Sequence, residues 1–378
     1  MKILGIETSC DETAAAVVED GNKILSNVVV SQIDIFAEYG GVIPEVAARS
    51  HLEVMLPVVD KALSEASCTW DDIDAIAVTH APGLLGSLLI GTLTARTLAI
   101  LHNKPLYAVH HLKSHVYANW LVEENNHAHS RAASGRPIAM GGRRLSSPCQ
   151  APDSLESGMV HFLPEFPLLA LVVSGGHTQI LYMRGHNQFE IVGTTKDDAV
   201  GECFDKVAKI LGLPYPGGPA IAKVAKNGDA RKYKLPHPKV EGLGFSFSGL
   251  KTAVLRAVQK EVGVPISYPS HKLKELLSDQ QVADFAASFQ KTAVDILCEK
   301  LKLGLEMYPD VKSVVVAGGV SASEALREKL PEAFFPAPSL SGDNGAMVGA
   351  ACFYEIQAGA EPVDPYKLNI YPRISIEN

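Results

Sequence analysis

The amino-acid sequence predicts an α/β protein in which one fold occurs twice, as two lobes around a nucleotide cleft. Near the start, "KILGIET" and "TAAAVVED" read as strand, polar turn and strand, and "LLALVVSGGHTQILYMRG" repeats that grammar with its turn at residues 174–178. Apolar strand runs alternate with helical patterns around both copies, an order that gives mainly parallel or mixed sheets covered by helices. Four small-residue turns stand at expected strand ends: "TSCDET" from Thr8, "SGGHT" from Ser174, "YPGGP" from Tyr215 and "AGGVS" from Ala317. Such turns let backbone N–H groups approach an anion, and four of them spread over both halves favour a nucleotide between the lobes.

Taken in order, residues 1–110 are expected to form the first lobe. After the opening hairpin, "PEVAARSHLEVMLPVVDKALSEA" spaces its apolar residues as a helix does, with Pro44 where a first helical residue belongs. "IDAIAVTHAPG" follows as strand and turn. "GLLGSLLIGTLTARTLAI" is long and apolar enough to weigh as a membrane span, but Arg96 and four Ser/Thr residues make a buried core helix the better reading. The second lobe is expected over 111–342, interrupted at about 123–164 by a flexible inserted loop rich in Ser, Ala, Gly, Arg and Pro. Between positions 131 and 144 this insert holds four arginines and no acid, which fits either a solvated linker or an RNA-contacting arm. The chain then continues through the acidic helix start "DDAVGECFDKVAKILGLPYPGG" and an amphipathic helix in "VADFAASFQKTAVDILCEKLKLGLEM". A strand, glycine turn and helix follow in "VKSVVVAGGVSASEALREKL". The last helix, in "SGDNGAMVGAACFYEIQAG", has Asp343 at its expected N-cap; it is expected to complete the first lobe over about 343–378.

Composition narrows the function. A chain of 378 residues with 47% hydrophobic content can bury two cores, and no signal or transit peptide opens it, so a cytoplasmic protein is expected. None of the six cysteines falls in a C-x-x-C pair, which argues against a zinc ribbon, a redox motif or a disulfide framework. The net charge of −8 provides no global basic field, so an RNA partner would need a local patch or a helper protein. Neither a Walker lysine motif nor G-x-G-x-x-G is present, so neither a P-loop NTPase nor a Rossmann dehydrogenase is supported.

"HHLKSH" places His111 and His115 four residues apart, the spacing by which a helix offers two imidazoles to one metal ion. With 13 histidines in the chain, about 0.5 such pairs arise by chance, so the spacing alone decides nothing. The zinc-protease pattern also needs Glu after the first His, where this chain has Leu112. A carboxylate from the opposite lobe would complete a two-His, one-carboxylate face, and Asp343 is a candidate. Asp205 could accept bonds from ribose hydroxyls, or simply favour a helix N-terminus.

Taken together, "IETSCDETAAAVV", "GGVIPEVAARSH", "APGLLGSLLIGTLTARTLA", "HHLKSH", "LVVSGGHTQI", "DDAVGECFDKVAKILGLPYPGGP", "FSFSGLKTAV", "AGGVSAS" and "DNGAMVGA" resemble, in order, the motifs of the bacterial TsaD family of tRNA N6-adenosine threonylcarbamoyltransferases. The resemblance implies the actin-like ATPase (ASKHA, RNase H-like) fold shared with sugar kinases. It implies transfer of the threonylcarbamoyl group from threonylcarbamoyl-AMP to N6 of adenosine 37 in tRNAs reading codons that begin with A, giving t6A. It also implies a TsaB-like paralogue and a TsaE-like ATPase as partners, with homodimer formation left open. By the same resemblance, His111, His115 and Asp343 would hold one divalent metal per subunit, Fe2+ or Zn2+. The adenylate would contact Ser9, Val172, Val173, Ser174, Gly175, Gly176, Asp205, Gly218, Gly318, Gly319 and Ser323, and Asp11 and Glu12 would lie at the reacting end. This chain departs from the pattern at Ser323, where members have Asn, and at Lys113, where many have Glu; Lys113 is expected to be a tolerated surface residue facing away from the metal. Two other readings stay open: a nucleotide-binding scaffold or kinase of the same fold, and a metalloprotease.

Overall fold

A computed structural model describes residues 1–122 and 163–377, together with the backbone of residues 139–140 and 143–144. The expected insert at 123–164, its arginine cluster included, lies outside the described residues apart from positions 163, 164 and that short backbone pair.

The first sheet is built from β1 (Lys2–Glu7), β2 (Glu12–Glu19), β3 (Lys23–Ser31), β4 (Ala75–Ala81) and β5 (Leu106–His110), in the order β3-β2-β1-β4-β5. After the pair β6 (Ala139–Met140) and β7 (Arg143–Arg144), a second sheet joins β8 (Leu168–Val173), β9 (Thr178–Gly185), β10 (Gln188–Thr194) and β11 (Ser313–Ala317), in the order β10-β9-β8-β11. The two sheets repeat each other: β1 pairs antiparallel with β2 and parallel with β4, as β8 does with β9 and β11. This is the duplicated α/β arrangement expected from the two hairpins.

Ten helices cover these sheets among the described residues: α1 (Ile33–Tyr39), α2 (Pro44–Glu65), α3 (Leu85–Leu101), α4 (His111–Tyr117), α5 (Val200–Leu211), α6 (Gly217–Ala225), α7 (Ser248–Glu261), α8 (Asp279–Met307), α9 (Glu324–Lys329) and α10 (Gly345–Gln357). Strand alternation sends Leu169, Leu171 and Val173 of β8 to a core with α5, α7 and α8, while Leu168, Ala170 and Val172 face the other way. Burial on both faces explains why "LLALVV" is apolar without interruption. The second face belongs to a core that also takes Ile3 of β1, Leu112 and Val116 of α4, and Met347 and Val348 of α10. The helices α4 and α10 are thus packed where the two lobes meet, and the metal candidates sit on the first turn and a half of α4 and just ahead of α10.

One expectation needs correction. The helix α3 is core on one face only: Leu88, Gly91, Ala95 and Ala99 are buried, whereas Leu85, Leu89, Leu93 and Leu101 stand out to solvent. Small residues face inward because the backbones approach closely; a Cβ on Gly91 would fall 2.2 Å from Thr8 Oγ1. Leu52 and Leu56 of the neighbouring α2 are exposed as well. No described helix is long and apolar enough to cross a membrane.

Candidate metal centre and cleft

His111 and His115 begin and close one turn of α4, which follows β5 directly and is capped by the His110 ring accepting from the Leu112 N–H at 3.2 Å. Their rings meet edge to face, with centroids 4.5 Å apart. Asp343 approaches both: its Oδ1 lies 3.1 Å from His115 Nε2 and 3.6 Å from His111 Nε2. Two ligands bonded at about 2.1 Å to a tetrahedral ion lie about 3.4 Å apart, so these separations fit one shared cation. Both ring nitrogens of His115 are buried without a hydrogen-bond partner among the described residues. Approach without hydrogen-bond alignment is what lone pairs converging on a common point produce. The donor set of two nitrogens and one oxygen suits a transition metal or zinc, and the three side chains form a group able to hold an ion.

The expected cap at Asp343 is corrected by its neighbour. Asn344 is the N-cap of α10, its Oδ1 accepting from the Met347 N–H at 3.0 Å. Asp343, one residue earlier, is released to face the histidines. Burial works against its charge, but His111 and His115 prevail and hold the carboxyl down at about 2. Burial likewise opposes a proton on His111, and Asp343 and Glu7 outweigh it, lifting the imidazole to about 9.

Behind His111 lies Glu7, the last residue of β1, fully buried. Its Oε2 accepts from His111 Nδ1 at 3.1 Å and from Thr79 Oγ1 at 2.6 Å, while Oε1 accepts from the Ser9 N–H at 2.5 Å. A carboxylate against Nδ1 holds a proton there, so the proton a cation would displace from the imidazolium is the one on Nε2, and Nε2 is the nitrogen that would bind it. Ser9 Oγ lies 3.2 Å from the same Nδ1. His51 of α2 holds the following turn, with Nε2 donating to the Cys10 carbonyl at 3.0 Å and Nδ1 2.7 Å from Thr13 Oγ1.

The Asp11–Glu12 turn is brought beside the triad. Burial, then the charges of Asp343 and Asp11, push the Glu12 carboxyl well above its ordinary range. Across the cleft stands Tyr215, whose phenol is pushed up by burial and then by Asp11 and Asp205. Asp205 spends one oxygen on the fold, Oδ1 accepting from the Gly217 N–H at 2.7 Å. Side chains added at Gly175, Gly176, Gly218 or Gly319 would meet nothing within 4 Å, so these backbones border open space. Gly318 has φ +88°, and a Cβ there would fall 2.5 Å from the Val173 carbonyl. Val172 and Val173 send their side chains into the cores, leaving only backbone for a ligand. Ser174 Oγ accepts from the His177 N–H at 3.1 Å. Ser323 precedes α9 with its Oγ buried and without a partner among the described residues.

Three features escape the sequence reading. Glu7 and His177 stand inside quoted motifs but no spacing marks them; His177 is pushed down to about 4, by burial first and then by His111 and His115. Lys113 is not a surface residue. Its side chain is 15% exposed, with Nζ 3.8 Å from the Glu355 carboxylate of α10, donating to Asn187 Oδ1 at 3.1 Å and lying over the Phe189 ring.

Among known proteins, the family described as TsaD, tRNA N6-adenosine threonylcarbamoyltransferase, matches residues 23–136 and 154–350. A protein so described from Symbiobacterium thermophilum is 46% identical over 366 residues, covering 94% of this chain and 92% of that protein. Another, from Halalkalibacterium halodurans, is 43% identical over 385 residues, covering 100% and 96%. Among solved structures, an activator of the 2-hydroxyisocaproyl-CoA dehydratase from Clostridium difficile aligns over 96% of this chain and 100% of its own, at 12% identity and a TM-score of 0.46.

Proposed function

The chain belongs to the TsaD family of tRNA N6-adenosine threonylcarbamoyltransferases, and from that premise we propose that it transfers the threonylcarbamoyl group of threonylcarbamoyl-AMP to N6 of adenosine 37 in tRNAs reading codons that begin with A. The observation that carries this reading is the convergence of His111, His115 and Asp343 between the lobes, beside the acidic turn of Asp11 and Glu12. A scaffold has no use for such a set, and a metalloprotease lacks its general base, since Leu112 follows the first histidine.

In the reaction, N6 of adenine forms a bond to the carbamoyl carbon, the bond from that carbon to the phosphate oxygen breaks, and AMP leaves. The exocyclic amine is a poor nucleophile, so the mixed anhydride supplies the driving force and the protein supplies position and charge neutralisation. When bound, one divalent ion per subunit, Fe2+ or Zn2+, supplies a Lewis acid for the charge that develops on the leaving AMP. Asp11 or Glu12 takes the proton that N6 loses. A carboxyl whose affinity for protons is raised by burial, as at Glu12, is better suited to that task than an ordinary one. Replacing both without loss of rate would exclude this role.

The open backbones of Gly175, Gly176, Gly218 and Gly319, with Gly318, Ser9, Asp205, Ser323 and the backbone of Val172, Val173 and Ser174, are the residues assigned to the adenylate cradle, a reading the open space around those four glycines supports. The exposed leucines of α2 and α3 support docking of a TsaB-like paralogue through that helical face. A TsaE-like ATPase and tRNA complete the assembly, in the cytoplasm.

Nucleoside mass spectrometry of unmodified tRNA tests the reading. The chain is incubated with its TsaB-like and TsaE-like partners, threonine, bicarbonate, ATP and the adenylate synthase. Wild type is expected to give t6A and the His111→Ala, His115→Ala double variant none. No t6A from wild type, where an established family member succeeds, would assign the chain a scaffold role.

A further inference from the structure

Residues 369–377 run as a strap across both lobes. Tyr371 N–H donates to the His80 carbonyl at 3.0 Å, Gly83 N–H to the Pro372 carbonyl at 3.3 Å, and His80 Nδ1 lies 3.2 Å from the Asn369 carbonyl. On the second lobe, the Ile191 N–H donates to Glu377 Oε1 at 2.8 Å, and Ile376 is buried in the core that both sheets share. Between strap and body lies a cavity of about 530 Å3, lined by Pro82, Gly83, His177, Pro372, Arg373, Ile374 and Ser375. That volume falls within the roughly 300–1,000 Å3 typical of small-molecule sites.

The cavity adjoins the metal triad from two sides. On one wall, Leu84 N–H, next to Gly83, donates to the Ser9 carbonyl at 2.8 Å, and Ser9 Oγ reaches His111 Nδ1 at 3.2 Å. On the other, His177 is close enough to feel the charges of His111, His115 and Asp343. His177 closes the turn of residues 174–178, so the cavity borders that end of the cleft, while Gly175, Gly176, Gly218 and Gly319 do not line it. Its lining combines two prolines, an isoleucine, a glycine and a serine with one imidazole and one guanidinium. Arg373 is exposed and forms no ion pair or hydrogen bond among the described residues, in a chain of net charge −8.

We propose that this cavity is the acceptor subsite, taking one unstacked purine nucleotide of the RNA between Pro82 and Pro372, with the Arg373 guanidinium on its phosphate. The proposal rests on the transferase reading and adds to it where the acceptor enters. A planar base fits proline and imidazole walls, and Arg pairs with phosphate in a fixed, two-pronged geometry. An enzyme acting on the N6 group of a base must take that base out of its stack, into a pocket beside the reacting atoms.

Arg373→Ala, Arg373→Lys and Arg373→Glu test it in the reconstituted reaction and in equilibrium binding of a fluorescent anticodon stem-loop across a salt series. The backbone bonds of the strap do not involve the Arg373 side chain, so the variants keep the wild-type melting temperature. Loss of one charged hydrogen-bonded contact is expected to raise KM for tRNA about tenfold in Arg373→Ala, with KM for the adenylate unchanged. The slope of log affinity against log salt is expected to fall by about 0.7–0.9, one phosphate contact, with partial recovery in Arg373→Lys and a larger loss in Arg373→Glu. An unchanged salt slope and tRNA KM overturn the proposal, as does a rise confined to the adenylate KM, which would assign Arg373 to the donor. Failure of wild type to make t6A while stem-loop binding still depends on Arg373 would instead remove the transferase reading and leave the RNA site standing.

Discussion

Replacing Glu7 by Gln is predicted to damage the metal centre from behind while leaving every ligand in place. Glu7 receives three donors, His111 Nδ1, Thr79 Oγ1 and the Ser9 N–H, and none of its own atoms reaches solvent. A carboxamide of the same shape offers one acceptor oxygen and one NH2 group. If the NH2 faces His111, the ring must move its proton to Nε2, the atom 3.6 Å from Asp343, and the lone pair for the cation is lost. If it faces the Ser9 N–H instead, a buried donor is left without an acceptor. Either way one charged hydrogen bond goes and one buried group is stranded, a loss of about 2–4 kcal/mol in stability. Loss of such an orienting partner lowers metal affinity by about 10–100-fold, or about 1.4–2.7 kcal/mol. Calorimetric titration of Zn2+ into the metal-free variant, with the visible spectrum of the Co2+ form as a report on geometry, measures it. Affinity within about twofold of wild type and an unchanged Co2+ spectrum would refute the reasoning that Glu7 sets the His111 tautomer.

Chelation of a metal present at about 100 times its dissociation constant removes about 2.7 kcal/mol, which for 378 residues lowers the melting temperature by about 3 °C; scanning calorimetry with and without EDTA reads it, and no shift would argue against a resident ion. Glu355 is held up at about 7 by burial, against the pull of Lys113, from an ordinary value of 4.5. The folded chain therefore binds more protons than the unfolded chain between about pH 4.5 and 7, and stability falls as pH rises through that window. Glu355→Gln is expected to recover about 3 kcal/mol relative to wild type at pH 8 and nothing at pH 4, by urea denaturation at both; equal differences at the two pH values would contradict it. Asn344→Ala removes the cap of α10 and the bonds from Asn344 Nδ2 to the Leu340 and Gly342 carbonyls, at an expected cost of about 2 kcal/mol in urea denaturation together with weaker metal binding, because Asp343 loses its anchor.

How far the fold can be read from sequence depends on how local each signal is. The two hairpins are legible because uninterrupted apolar strand runs and a small-residue turn lie within about twenty residues of each other, and the helical pair of His111 and His115 because one turn of α4 contains both. The reading of α3 misses its exposed face because apolar content does not say which side packs: there Leu88, Gly91, Ala95, Leu98 and Ala99 face in, and Leu85, Leu89, Leu93 and Leu101 face out. Asp343 is found, but the cap is assigned to it one residue too early, since Asp and Asn are equally good caps and only the backbone decides between neighbours. Glu7 is illegible for a different reason. Its partners Thr79 and His111 lie 72 and 104 residues away, and nothing in a lone glutamate at a strand end announces them. The strap at 369–377 has neither periodicity nor motif, and gains meaning only from the two lobes it crosses.

The most direct test of the central claim is a single-turnover transfer with purified threonylcarbamoyl-AMP, labelled in the threonyl carbons, and a tRNA transcript bearing either adenosine or guanosine at position 37. The account predicts that label passes to the adenosine transcript in the presence of the chain and its partners, not to the guanosine transcript, and not with the His111→Ala, His115→Ala variant. Label reaching the RNA equally well with that variant would contradict it, for the cleft chemistry would then belong to another component.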